Sequence, residues 1–331
     1  MIEQKVKFLI IRLSSIGDIV LTTPVIRCLK QQVENAEVHY LTKPEYESII
    51  KNNPYIDKIH LANKSYSGFI KKLKAENFDY IIDLHHNFRT LKIKLSLKRT
   101  AFSFHKLNIK KWILVNFKIN KLPTIHIVDR YLATLSVFDV KNDDKGLDYF
   151  LQEDEKIKKS TLPAAFQNGY IALVIGAKHE TKKLPENKLK ELVEKIHKPI
   201  IILGGKDDFV NGEKIAQHAA TVHNVCGKYT LNQSASIIEQ ADFVITHDTG
   251  LMHIAAAFKK KIVSVWGNTI PEFGMYPYLP SNFKFNSASW IFEAQGLNCR
   301  PCSKIGFKKC PKGHFKCMQN IDVNKIVEIV N

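Results

Sequence analysis

The chain has 331 residues, of which 45% are hydrophobic and 24% charged, a size and balance that suit a globular protein of two domains, each able to bury its own core. Its formal charge of +17 favours anionic partners such as nucleic acid, an acidic membrane surface or phosphorylated substrates, although a lysine-rich solvated surface accounts for the total equally well. No run reaches the ~18 apolar residues of a membrane span, and Arg12 and Asp18 break the first apolar run too early for a signal peptide, so the sequence reads as cytosolic and its six cysteines as thiols or metal ligands rather than disulfides.

Val6–Ile11 is a short apolar run expected to form a buried parallel strand. The polar turn Ser14-Ser15-Ile16-Gly17-Asp18 follows, then a helix over Ile19 to Gln32 in which Pro24 is awkward unless it sits near a start. Strands are predicted at Glu37–Leu41 and Tyr80–Leu84, with helical stretches near 44–52 and 66–76. The alternation weakens over 90–125 and resumes after 170. There, strands are predicted at Tyr170–Ile175, Pro199–Leu203, Val222–Val225, Phe243–Thr246 and Ile262–Trp266. Between and after them, helices are predicted at Glu186–His197, Phe209–Ala219, Asn232–Gln240 and Gly250–Phe258, and a last amphipathic helix at Val323–Val330. Such βα alternation implies two doubly wound α/β units, 1–155 and 156–331, joined by a charged linker near 152–160. Ligands of such sheets bind beyond the carboxyl ends of the strands, so the loops that follow strands hold the candidate chemistry.

Three of those loops stand out. Ser14 to Asp18 opens a helix, and Gly17 permits a tight turn there, while free N–H groups at the helix start suit an anion. Read locally, Asp18 is equally a first-turn carboxylate favoured by the helix dipole. Thr246-His247-Asp248-Thr249-Gly250-Leu251-Met252-His253 again runs from strand to helix, with Asp248 or Thr249 as a cap and an N-terminus suited to a diphosphate. The bland alternative is a capped helix with a core-facing His253. In the loop from Gly176 to Pro185, Lys182 and Lys183 either neutralise phosphates or lie in solvent. Neither G-x-G-x-x-G nor a Walker sequence occurs.

Taken together, these segments resemble glycosyltransferase family 9, the ADP-heptose:lipopolysaccharide heptosyltransferases. The resemblance runs through Ile10 to Pro24 and through Asp248 to Ala257. Weaker matches are Asp83-Leu84 with Asn87 and Arg89, His126 with Asp129-Arg130, Lys182 before Leu184-Pro185, and Gly204-Gly205 with Asp208. It implies a GT-B fold, two Rossmann-like domains facing a cleft, with the acceptor bound mainly by the first and the nucleotide sugar mainly by the second. The last helix, about 322–331, would pack back on the first domain. By the same resemblance Asp18 is the general base. Lys182, Asp208, Asp248, Thr249, Gly250 and His253 bind the donor, with Asp208 standing where the family often has a glutamate for the ribose. Ser15, Gly17, Arg89, His126 and Arg130 are assigned to the acceptor. Asp18 would take the proton of an acceptor hydroxyl as it attacks the anomeric carbon, inverting it, while Lys182 and the helix start at Thr249-Gly250 stabilise departing ADP. No Asp-x-Asp metal motif is evident, so neither an essential divalent ion nor a cofactor is expected.

Between Asp83 and Asp129 there is no acidic residue, but ten Lys and Arg from Arg89 to Lys121, interleaved with Phe88, Phe102, Phe104, Trp112 and Phe117. Cations mixed with aromatics suit an anionic membrane face carrying a phosphorylated glycolipid acceptor, which places the protein peripherally at the inner membrane; single-stranded nucleic acid is the competing partner, and the reading is of no nucleic acid. Cys299, Cys302, Cys310, His314 and Cys317 are either a zinc set or reduced packing thiols, while Cys28 and Cys226 read as core. The leading function is therefore an inverting, metal-independent transfer of heptose or a related sugar. The alternatives are a hexosyltransferase of the same fold, a non-catalytic nucleotide or glycan binder, and a nicotinamide oxidoreductase, which the missing glycine fingerprint argues against.

Overall fold

The computed structural model describes residues 5–62, 66–283 and 288–331. In chain order the elements are β1 (Val6–Ile11), α1 (Ile16–Val20), α2 (Thr23–Gln32), β2 (Ala36–Thr42), β3 (Lys58–Leu61), α3 (Tyr66–Ala75), β4 (Tyr80–Asp83), α4 (Phe88–Leu97), β5 (Thr100–Ser103), α5 (Asn108–Phe117) and α6 (Ile127–Leu132). There follow β6 (Ile171–Val174), α7 (Glu186–Lys195), β7 (Ile200–Leu203), α8 (Phe209–Ala216), β8 (Val222–Asn224), α9 (Leu231–Gln240), β9 (Phe243–His247), α10 (Gly250–Ala257), β10 (Lys261–Trp266), β11 (Ser289–Glu293), α11 (Lys316–Gln319) and α12 (Val323–Val330). The chain divides into two compact units, one of Met1–Lys106 with Ile125–Phe150, the other of Leu107–Thr124 with Leu151–Asn331.

In the first unit a five-stranded sheet runs β3-β2-β1-β4-β5, all parallel. Its central strands bury both faces, so Phe8, Leu9, Ile10 and Ile11 are wholly inside, as a doubly wound sheet requires. Leu9, Ile11, Leu41 and Ile81 pack with Phe69 and Leu73 of α3 and Ile93 and Leu97 of α4. Pro24 ends the predicted single helix. The structure breaks at Leu21-Thr22 and restarts, placing Pro24 in the first turn of α2, where its missing N–H has no intrahelical partner to lose. From α2 the buried Arg27 donates to Asp143 (Nε to Oδ2, 2.7 Å), to Asp148 and to the Gly146 carbonyl (2.9 Å), tying the loop of residues 142–150 to the helix.

The second unit has a six-stranded sheet, β11-β10-β9-β6-β7-β8, again all parallel. Ile171, Leu173, Ile200, Ile202, Ile245, Val263 and Val265 build its core with Leu189, Leu192 and Val193 of α7. Helix α9 starts with a reciprocal cap: Thr230 Oγ1 accepts from Gln233 N–H (3.3 Å) and Gln233 Oε1 from Thr230 N–H (3.0 Å). The last helix, α12, contributes to this unit's core, where Val323, Ile326 and Val330 are buried against α7. Its apolar stripe is satisfied within the unit that carries it. Residues 107–124, read as part of the first domain, belong to the second unit: Leu114 packs on Ile270 and Phe273, and Lys118 Nζ donates to the Pro301 carbonyl (2.7 Å). No helix among the described residues is long and apolar enough to cross a membrane.

Two stability outcomes follow from these cores. Replacing Arg27 with Ala strands the Asp143 and Asp148 carboxylates, and is expected to cost about 3–5 kcal/mol in denaturant unfolding. His85, after β4, and His247, at the end of β9, are kept neutral chiefly by burial, with pKa values pushed down to about 4 and about 3. The unfolded chain binds those protons near pH ~6.5, so the folded state should lose stability as pH falls from there to about 4 and below. Urea melts across that range measure the slope, and His247→Gln, which keeps an acceptor for its backbone partner, should flatten it.

Candidate active site

In the first unit the chain leaves β1 toward β2 on one side and later returns to β4 on the other, so the loops beyond the carboxyl ends of β1 and β4 diverge and leave a crevice. A cleft of ≈ 820 Å³ opens there, lined by Leu13, Ser14, Lys43, His85, Asn87, Phe88, Arg89 and Lys92. Three cations face it, and His85 is neutral, so the cleft is complementary to an anionic ligand.

Asp18 sits in the first turn of α1, on the loop that contributes Leu13 and Ser14 to this cleft. Its Oδ2 accepts from the Ser15 hydroxyl (2.7 Å) and the Ser15 N–H (3.1 Å), and its Oδ1 pairs with Arg12 Nη2 at 2.6 Å. Gly17 is buried within the same short helix. Arg12 is itself almost wholly buried and reaches three further groups: the Ser14 carbonyl (2.8 Å), the Tyr131 hydroxyl (2.8 Å) and the Leu84 carbonyl. Burial alone would lower its pKa. The Asp18 charge, Tyr131, Tyr40 and the hydrogen bond to Asp18 together more than reverse that, leaving the guanidinium firmly cationic. One residue thus joins the ends of β1 and β4 to α1 and α6 and fixes where Asp18 points.

The other wall is set by Asp83, fully buried at the end of β4. It accepts from the N–H groups of His85 (3.1 Å) and His86 (2.7 Å), from Thr90 Oγ1 (2.8 Å) and from Lys94 Nζ (2.9 Å). Asn87 then caps α4 through Thr90 N–H (3.0 Å), which carries Arg89 and Lys92 to the cleft. His126 and Arg130 are not part of that lining. His126 Nδ1 accepts from Val128 N–H at the start of α6, and Arg130 Nη1 donates to the His105 carbonyl (3.2 Å). Both are buried, in positions that shape α6 and the segment before α5.

In the second unit β6 stands between β7 and β9, so the corresponding switch point lies beyond β6 and β9. There Lys182 Nζ meets Asp248 Oδ2 at 2.5 Å, and Thr269 Oγ1 donates to the same oxygen (2.8 Å). Thr249, in extended backbone, precedes α10, and no side chain caps that helix start. Its first N–H groups, with Lys182 beside them, form an arrangement suited to phosphate oxygens. His253 is buried one turn along α10 from Gly250. His247 Nε2 accepts from Leu184 N–H (2.9 Å), fastening the loop after β6 to the end of β9. Lys182, Asp248, Thr249 and Gly250 are therefore brought together.

Asp208 lies in the turn after β7 with both oxygens engaged, Oδ2 by Gly205 N–H (2.9 Å) and Oδ1 by Lys183 Nζ (3.0 Å). A Cβ on Gly176 would come within 2.5 Å of Asp208 Oδ2, and one on Gly204 within 2.8 Å of Asp208 Cβ, which is why both positions are glycine. A ribose hydroxyl reaching Asp208 would share oxygens already committed to this turn.

Cys28 and Cys226 are core residues, as their sequence context suggests. Cys302 donates to the Cys299 carbonyl, and Cys299 Sγ lies 3.9 Å from His314 Nε2. Burial raises the thiol pKa of Cys302 and Cys317 to about 11. Among the described residues the sulfurs do not converge as a set of three at ligand distance. Sequence reasoning overlooked Lys43 and His85 as site residues and the fixing role of Arg12. Each follows a strand by one or two positions, so a strict application of the strand-end rule would have found them.

Two switch-point sites, one with an oriented carboxylate and one with a lysine at a helix start, are compatible with several α/β enzyme families. Residues 67–300 match the model of glycosyltransferase family 9 (heptosyltransferase). The chain is 27% identical over 350 residues to lipopolysaccharide heptosyltransferase 1 of Campylobacter coli, covering 98% of each. Its fold is that of the glycosyltransferase family 9 structure from Veillonella parvula (TM-score 0.76, 19% identity, 99% of this chain and 97% of the other). It is likewise similar to the E. coli ADP-heptose lps heptosyltransferase II (TM-score 0.72, 18% identity, 98% and 97%). With the family's model spanning most of the chain and both units sharing the fold of its solved members, this protein belongs to glycosyltransferase family 9 and is a glycosyltransferase.

Proposed function

We propose that this enzyme transfers heptose, or a closely related sugar, from an ADP-activated donor to a lipopolysaccharide core or similar anionic glycolipid, with inversion at the anomeric carbon. The observation that carries the reading is the fixed carboxylate of Asp18, held by Arg12 and Ser15 beside a cleft lined with cations. The names of the relatives supply the donor and acceptor classes: one is an ADP-heptose enzyme, another acts in lipopolysaccharide heptosyl transfer.

In this account an acceptor hydroxyl gives its proton to Asp18 while its oxygen bonds to the anomeric carbon. The bond from that carbon to the diphosphate oxygen breaks on the opposite face, and its electron pair leaves with ADP. One displacement inverts the centre. Lys182 and the open N-terminus of α10 meet the charge that grows on the leaving phosphate. Lys182 exchanges part of its contact with Asp248 for that phosphate, and Thr269 keeps Asp248 in place meanwhile. Acceptor phosphates are assigned to Lys43, Arg89 and Lys92, with Ser15 and Gly17 shaping the turn that carries Asp18. His126 and Arg130 act on the acceptor through the position of α6.

The same reading puts the enzyme peripherally on the inner face of the membrane. Helix α4 exposes Phe88 (72%) and Leu95 (66%) beside Lys92, and α5 exposes Ile109 (75%) and Trp112 (52%) beside Lys110 and Lys111. Apolar side chains standing among lysines suit the headgroup region of anionic lipid.

The test is an assay of nucleotide release with a panel of ADP-, UDP- and GDP-sugars, each with and without a phosphorylated lipopolysaccharide-core acceptor. The account expects free ADP only when an ADP-sugar and the acceptor are both present, with a product anomer opposite to the donor's by NMR. Release of UDP or GDP instead would reassign the donor. Retention of configuration would remove the single-displacement mechanism, and nucleotide binding without release would mark a non-catalytic binder.

A further inference from the structure

Away from both switch points, the outer edge of the first sheet holds a buried pair of histidines that the transfer chemistry does not use. His39 on β2 is completely buried, and His60 lies on the neighbouring strand β3. His39 Nδ1 and His60 Nε2 face one another at 2.9 Å. Glu76, just past the end of α3, brings a carboxylate oxygen to the same point, so that the three candidate ligand atoms lie within 4.8 Å of one another. The edge of Phe78 closes the apolar side, 5.1 Å from the His39 ring and 5.8 Å from that of His60.

The tautomer decides what this cluster offers. His39 Nε2 contacts Glu37 Oε1 at 2.7 Å, and a carboxylate can only accept there. Nε2 is therefore the donor, and in the neutral ring Nδ1 presents its lone pair toward His60. A carboxylate fixing one ring nitrogen so that the other presents its lone pair is the usual support of a metal-bound histidine. His60 Nε2 stands 2.9 Å from His39 Nδ1, where a cation would replace the proton the two rings otherwise share.

We propose that His39, His60 and Glu76 form a binding site for a zinc-class divalent cation, with Glu37 as the positioning residue. Two imidazoles and a carboxylate are a donor set suited to zinc, and a fourth position remains for water. Ligand bonds of ~2.0–2.1 Å require the two nitrogens to stand only a few tenths of an ångström further apart than they do. Lys58 pairs with Glu76 Oε1 at 2.6 Å, but its side chain is half exposed and can turn to solvent, and the second carboxylate oxygen is not used in that pair. Lys5 meets Glu37 Oε2 at 3.4 Å, and Lys7 approaches Oε1 at 3.6 Å, well beyond the 2.7 Å contact of that oxygen with His39. The ion would pin β2, β3 and the end of α3 together at a sheet edge, a structural role separate from transfer.

The test uses the full chain, stripped with EDTA and titrated with Co²⁺, then with Zn²⁺ in competition. One cobalt per chain is expected, giving visible d–d bands without the intense near-ultraviolet band of a thiolate ligand, and zinc should displace it. His60→Gln and Glu76→Gln should abolish the bands, and Glu37→Gln should weaken affinity roughly 10–100-fold. Melting in EDTA checks that each variant folds; should His60→Gln fail to fold, the partly exposed Glu76→Gln decides. No stoichiometric uptake, a spectrum showing only thiolate ligation by Cys299, Cys302, Cys310 or Cys317, or binding that survives both His60→Gln and Glu76→Gln would overturn the proposal.

Discussion

The pairing of Arg12 with Asp18 is the contact on which the chemistry proposed for the first unit depends. A helix as short as α1 cannot by itself hold a carboxylate still, because few of its backbone groups are paired within it. Arg12 supplies the missing constraint from below. It emerges at the end of the central strand, is buried, and spends its donors on Ser14, Leu84, Tyr131 and Asp18. Two of those partners lie on other elements of the unit, so the orientation of Asp18 is inherited from the sheet and α6 rather than from local helix propensity. Taking a guanidinium out of water is costly unless its donors are satisfied, and here four partners offset that cost.

The same logic recurs around both sites. Asp83 is a buried carboxylate whose four donors shape the wall of the first cleft. His247 is a buried neutral imidazole that fastens the lysine-bearing loop of the second unit to β9. In each case a polar residue placed at the carboxyl end of a strand is committed to positioning, and the residues proposed to meet the ligand lie elsewhere on the loops it holds. That division separates Asp83 from Arg89 and Lys92 on the helix that follows, and His247 from Lys182 on the loop it fastens.

Much of this was legible in the sequence because apolar runs of four to six residues followed by helical periodicity are what parallel sheets require. The central strands β1, β4, β6, β7 and β9 were placed within a residue or two for that reason. Three of the four edge strands were harder. β3, β5 and β11 are only partly buried, so they lack the continuous apolar signal. Helices α4 and α5 were hidden in the basic segment because outward-facing Phe88, Leu95 and Trp112 blur the narrow buried stripes formed by Ile93 and Leu97 and by Leu114. The placement of the last helix and of residues 107–124 depends on which unit offers the complementary apolar surface, which no local pattern encodes. At the sites, the loops were found from their position after strands, whereas Lys43, His85 and the partners of Arg12 emerge only from strand order.

The central claim is that Asp18 is a proton acceptor and not merely a helix-start carboxylate. Asparagine keeps the shape and one of the two acceptor oxygens, enough for the hydrogen bonds from Ser15 or the one from Arg12 but not both, and cannot take a proton. The most direct measurement compares single-turnover transfer and donor affinity for Asp18→Asn and the parent enzyme. The account predicts a loss of roughly 10²–10⁴-fold in the transfer rate, with donor binding and melting temperature little changed. Transfer at the parental rate, or a loss no larger than the loss of donor binding, would contradict it.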